Sequence, residues 1–145
     1  MAGELQSIRY RIVVEAKMKR VTGIGGIFFK ARDPIALRAW YKQHLGIDVQ
    51  EWGGTVFAWT DEAGNPTGGS TVWSVFAADT DYLAPGMSSF MVNYRVADLA
   101  DLLQVLREEG CNVLEKTDSS EYGKFGWVMD PEGNKVELWQ PPEGQ

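Results

Sequence analysis

A doubled pattern constrains this chain before any single element does, because a repeat commits the fold to two copies of one supersecondary unit. Around Asp33 the sequence reads GIFFKARDPIALRAWYKQHLG, and around Asp98 it reads MVNYRVADLADLLQVLREEG. In the first copy Ile27, Phe29 and Ala31 alternate with Phe28 and Lys30; in the second Val92, Tyr94 and Val96 alternate with Asn93 and Arg95. That is the period of a half-buried strand. Asp33 and Asp98 then stand where a helix N-cap is needed, and Pro34 suits a first helical position because its missing N–H has no partner there anyway. Leu37, Trp40, Tyr41 and Leu45, and likewise Leu99, Leu102, Leu103 and Leu106, recur at helical spacing before Gly46 and Gly110 supply left-handed stops.

The parallel continues behind each helix. Phe57-Ala58-Trp59 leads to Asp61-Glu62-Ala63-Gly64-Asn65, and Phe125-Gly126-Trp127 leads to Asp130-Pro131-Glu132-Gly133-Asn134. An Asp acceptor opening the turn, with Gly where φ is positive, predicts a hairpin and a returning strand: Ser70 to Phe76 in one copy, Lys135 to Trp139 in the other. Each copy is therefore expected to be β-α-β-β-β, and the short connection from Ala77 to Ser89 sets the modules side by side. In the Tyr122 to Trp127 stretch, Gly123 and Gly126 either give room for a close approach or form a bulge, and the bulge is the expectation.

At 145 residues the chain fits one domain with a single core. Cys111 is the one cysteine, which excludes an intrachain disulfide and a thiolate zinc cluster and fits a reducing cytoplasm. The N-terminus lacks the order of a signal peptide and no apolar run has the length of a membrane span. A formal charge of −6 with scattered acids argues against a nucleic-acid surface and leaves small molecules or protein as partners. Ser-His-Asp, Cys-His and phosphate-cradling Gly patterns are missing from the sequence.

Paired βαβββ modules with Asp-Pro-Glu-Gly-Asn before a Val-Glu-Leu-Trp strand resemble the vicinal oxygen chelate superfamily, which includes glyoxalase I, extradiol dioxygenases and bleomycin-resistance proteins. The resemblance covers about Val21 to Pro142 and implies an α+β fold: two βαβββ modules forming a curled mixed sheet, or cup, with helices on the outer face. It divides the chain into an extension, 1–20, and one domain, 21–142, with modules at 21–78 and 88–142. In metal-using relatives a divalent ion is held by His, Gln or Glu on the first and last strand of each module. Glu137 matches one such ligand. The first-strand positions fall on Gly26 and Met91, and the remaining one falls among Val72, Trp73 and Ser74. None of these is a good hard-metal ligand. His44, the sole histidine, is expected on an outer helix face. No metal and no cofactor is therefore expected.

With Val136 and Leu138 facing the helices, alternation turns Lys135, Glu137 and Trp139 to the other face. The expected site there is Glu137, as charged anchor or proton-transfer group, with Phe28, Lys30, Trp73, Met91, Asn93, Arg95, Trp127 and Trp139 lining the cup. The competing bland reading makes Glu137 a solvent-facing acid paired with Lys135, Arg95 or Lys30. Three functions follow. The first is a metal-free, bleomycin-resistance-like protein binding a small aromatic or cationic molecule, with a cation over a Trp face gaining about 0.5 to 2 kcal/mol. The second is a metal-dependent lyase of the lactoylglutathione lyase type or an extradiol dioxygenase. The third keeps the fold for association, and a homodimer is expected from the resemblance. Alternation of Ile8, Tyr10 and Ile12 allows an added edge strand before the domain.

Overall fold

The computed structural model describes residues 20–145. The strand expected around Ile8, Tyr10 and Ile12, and most of the 1–20 extension, lie outside the described residues. The elements run β1 (Val21–Ala31), α1 (Pro34–Leu45), β2 (Gly54–Thr60) and β3 (Pro66–Ala77), then β4 (Phe90–Val96), α2 (Leu99–Glu108), β5 (Asn112–Ser120), β6 (Gly123–Met129) and β7 (Lys135–Gln140). All seven described strands form one mixed sheet in the order β2-β3-β1-β4-β7-β6-β5. β1 and β4 pair antiparallel at the seam, with β3 parallel to β1 on one side and β7 parallel to β4 on the other. The duplicated sequence has become two like halves of an α+β sheet that does not close into a barrel.

The local signals act as expected. Asp33 accepts a hydrogen bond from the Ala36 N–H and Asp98 from the Asp101 N–H, so both helices start on their acid caps. Gly46 ends α1 at φ 68. Asp61 accepts from the N–H groups of Ala63 and Asn65, and Asp130 from those of Glu132 and Asn134, which makes the two hairpin turns copies of one another.

Two details differ from expectation. The first module forms two strands after its helix, where three were expected. Residues 47–53 instead close on themselves: the Gly53 N–H donates to the Gln50 carbonyl and the Gln50 N–H to that of Gly54, with Gly53 at φ 101. Gly126, expected in a bulge, pairs regularly with Leu138 and Thr117, and the irregularity lies on β5 between Val113 and Thr117. Its missing side chain admits α2 instead, because a Cβ there would stand 2.9 Å from Leu103 Cδ1.

The sheet carries a separate core on each face. Val96, Leu99, Leu102, Leu103 and Leu138 pack on the helix side. Phe28, Leu83, Met91 and Trp127 pack on the other. Leu83 belongs to neither a helix nor a strand. It sits in the connection 78–89, which crosses the helix-free face and supplies the lid of the second core.

Candidate functional site

Strand alternation puts Glu137 on the helix-free face of β7, opposite Asn93 on β4 and Trp127 on β6. It is 1% exposed. A carboxylate so deep needs donors, since an unpaired buried charge is costly. Three supply them: Asn93 Nδ2 donates to Oε2 at 2.7 Å, Trp127 Nε1 to Oε1 at 3.0 Å, and the Tyr82 hydroxyl to Oε1. Tyr82 comes from the connection 78–89, and its ring meets Phe76 and Trp127 edge-on at 5.8 and 6.3 Å. The connection is fastened further by Lys135 Nζ donating to the Tyr82 carbonyl at 2.7 Å and by the Ser88 hydroxyl donating to Asn134 Oδ1. Burial pushes the Glu137 carboxyl above its ordinary range, outweighing the three donors. The Tyr82 phenol is pushed up by its own burial and by the carboxylate it faces, so it stays a donor.

Cations occupy the aromatic faces. Lys135 Nζ lies 5.2 Å from the Trp127 ring centroid and 5.4 Å from that of Tyr82. Arg95 Cζ lies 5.0 Å from Trp59 and 5.2 Å from Trp139, so its guanidinium is held between two indoles. Gly23 and Gly69 leave the sheet bare beneath Trp59, because a side chain at either would run into its ring. Trp139 stacks on Phe125 with an interplanar angle of 11° and donates its N–H to the Tyr122 carbonyl.

Among the expected lining residues, Phe28, Met91, Asn93 and Trp127 gather around Glu137, with Arg95 and Trp139 beside them. Two do not. Trp73 faces the helices, packed edge-on against Phe29 and Tyr41 at 5.5 and 5.0 Å. Strand β3 starts at Pro66, so the extra residues of that hairpin lengthen the strand and fix a parity that places Trp73 beside Ile27. Lys30 lines an open surface depression of about 730 Å³ with Arg32, Asp33 and α1 residues Trp40 and Tyr41. The bland reading of Glu137 also fails, because it neither faces solvent nor pairs with a cation. Sequence reasoning missed Tyr82 and Trp59; the available signal for the first was Tyr82-Leu83, two large side chains directly after the polar run Asp79-Thr80-Asp81.

The divalent ion implied by the resemblance does not fit these residues. Where the Gly26 position should offer a ligand, the Phe28 ring fills the space: a Cβ on Gly26 would stand 2.6 Å from Phe28 Cζ. Met91 is buried among Phe28, Leu83 and Trp127. Val72 packs against the same cluster, and both Glu137 oxygens already accept hydrogen bonds. Among the described residues no three His, Cys, Asp or Glu side chains converge. His44 is on α1, exposed, beside Trp40.

The family model of the glyoxalase-like domain matches residues 26–139, from the first strand to Trp139. The chain belongs to that glyoxalase-like family. Solved structures agree on the fold. Methylmalonyl-CoA epimerase from Mycobacterium tuberculosis superposes with a TM-score of 0.55 at 16% identity, covering 86% of this chain and 91% of that one. A Streptomyces coelicolor methylmalonyl-CoA epimerase variant gives 0.62 at 16% identity over 86% and 98%. A glyoxalase/bleomycin resistance protein/dioxygenase superfamily member from Vibrio splendidus 12B01 gives 0.52 at 15% identity over 81% and 97%. At such identities the likeness concerns fold alone. No curated protein matches the sequence closely enough to count as a relative. No described helix is long and apolar enough to cross a membrane.

Proposed function

We propose that this glyoxalase-like protein binds a small neutral aromatic molecule with an O–H or N–H donor on its helix-free face, without a metal, by displacing Tyr82. One observation carries the reading. Glu137 is fully buried, yet its third donor is a phenol borrowed from a connecting segment rather than from the sheet. The Tyr82 ring between Phe76 and Trp127, with its hydroxyl on the carboxylate, outlines the ligand chemistry the site accepts. A cationic ligand is disfavoured, because Lys135 and Arg95 already hold the π faces. The alternative of a metal-dependent lyase or extradiol dioxygenase lacks a donor set among the described residues.

Titration of Trp fluorescence with phenol and with toluene tests the proposal. Phenol should quench saturably and shift the Tyr82 resonances, and Glu137→Gln should weaken phenol by about tenfold with no effect on toluene, as expected for loss of a charge-assisted hydrogen bond. Saturable binding of neither compound, or a stoichiometric metal that Glu137→Ala removes, would overturn it.

A further inference from the structure

The two outermost strands of the sheet are built differently. β5 carries Glu115, Lys116 and Asp118 and is irregular between Val113 and Thr117, and such charges and irregularities keep an edge strand from pairing with another chain. β2 reads Gly54-Thr55-Val56-Phe57-Ala58-Trp59-Thr60, with no charge and no proline. Apolar side chains stand out on both of its faces, Val56 being 54% and Phe57 47% exposed.

The outward backbone groups of β2 follow from the two glycines at its start. Gly53 turns its carbonyl inward to the Val75 N–H, and Gly54 turns its own outward, where the Gln50 N–H donates to it. Alternation then directs the N–H and C=O groups of Val56 and Ala58 outward, where no strand among the described residues pairs with them. The second module shows what such an edge takes. β6 pairs antiparallel with β7 as β2 does with β3, and the outer edge of β6 is covered by β5, again antiparallel. The first module forms no such further strand among the described residues.

We propose that β2 pairs edge to edge with β2 of a second copy of this chain, joining two sheets into one. Strands related by a two-fold axis across a shared sheet edge run antiparallel, which is the arrangement β6 receives from β5. With the axis at Ala58, that residue exchanges both of its outward hydrogen bonds with its own counterpart, and the exposed Val56 and Phe57 side chains gain cover. A strand without charge meets no like charge when it pairs with itself, whereas β5 would have to bring three charges into such a pairing. Each copy carries a formal −6, so net charge opposes the association and backbone bonds with apolar cover must outweigh it.

Sedimentation equilibrium of the full chain over a range of concentrations, with amide exchange at both ends of that range, tests the proposal. The chain should be a dimer at the high end, where the Val56 and Ala58 amides should be protected; on dilution these should exchange faster while the β5 amides stay unchanged. Added salt should tighten the association, because it screens two chains of like charge. Val56→Lys puts a charge on the edge and Ala58→Pro removes an outward donor, and each should weaken the association by at least about tenfold. Ala58→Pro spares the bonds to β3; should it nonetheless fail to fold, Val56→Lys decides. A monomer at every concentration, or a dimer that a folded variant of either kind leaves unchanged, overturns the proposal. Protection of Val56 and Ala58 that does not depend on concentration overturns it as well, because the edge is then covered from within the same chain.

Discussion

Helix α2 buries Leu99, Leu102 and Leu103, whereas α1, whose apolar residues also recur at helical spacing but form a weaker stripe, buries no residue and leaves Trp40 49% and Leu45 60% exposed. The sheet beneath them explains the contrast. α2 packs across β5, β6 and β7, while α1 rests on β3 and β1, because the segment that would be the third strand of its module closes into a turn at Gly53. An amphipathic face is worth only the apolar surface it meets. Apolar residues at helical spacing are therefore buried only as far as the stripe is well formed and the sheet beneath is wide enough, and the second module carries the helix-side core.

The largest expected effect tests this directly. Leu103 is 4% exposed and packs against the bare backbone of Gly126, so Leu103→Ala should cost about 3 kcal/mol through lost transfer and a cavity. Leu37, half-buried on α1, should cost about 1 kcal/mol on the same change, because the site is already partly wet. Urea unfolding measures both. Equal losses would break the comparison by showing that α1 carries as much of the core as α2.

The two modules also differ at the last strand. Glu137 on β7 shares a cross-strand row with Val72 on β3, through Asn93 and Gly26, so where the second module buries an acid the first has an apolar side chain. Its folded pKa is raised above the ordinary 4.5 by burial. The sign follows: the group's contribution to stability is fully present below about pH 4.5 and is lost as the pH rises through the raised folded value. The stability of the native chain minus that of Glu137→Gln should therefore be greatest in mild acid and fall as pH increases, by about 1.4 kcal/mol for each whole pH unit by which the carboxyl is raised. Asn93, whose Oδ1 has no partner among the described residues, can turn to accept from the new amide, which keeps the variant folded. A difference that grows toward high pH would show Glu137 to be stabilised as the anion.

What could be read from the sequence was local. Asp33 and Asp98 caps, the Asp61 and Asp130 turns and the alternation of β1, β4 and β7 depend on residues within a few positions, and the structure repeats them. The exceptions depend on distant partners. Trp73 was misassigned because one residue of parity, set by how far β3 extends, decides its face. The role of Tyr82 was hidden because nothing near it in sequence says that the connection returns across Glu137, 55 positions away. Trp59 reaches Arg95 only because β2 and β4 share one face, with Gly23 and Gly69 clearing the way between them.

The smallest effect belongs to the twin turns, where the modules are most alike. The Asp61 carboxyl is held below its ordinary range by the Asn65 backbone N–H and then by the Asn65 side chain and Ala63. Asp130 is held down by the Asn134 side-chain amide and then by the backbone N–H groups of Asn134 and Glu132. A lowered folded pKa means that each turn supports the fold above the unfolded value of 3.8 and loses that support as the pH falls through the folded one. Asp61→Asn and Asp130→Asn should therefore each flatten the acid end of the stability profile, and by the same small amount. The difference between them lies elsewhere. Asn134 also accepts the Ser88 hydroxyl, so the Asp130 turn helps hold the connection that seals Glu137, whereas the Asp61 turn holds only its own hairpin. Amide exchange at residues 82–88 should accelerate in Asp130→Asn and stay unchanged in Asp61→Asn. Equal exchange in the two variants would mean that Leu83 and Tyr82 fix the connection by themselves, and that the second module's turn is no more than a copy of the first.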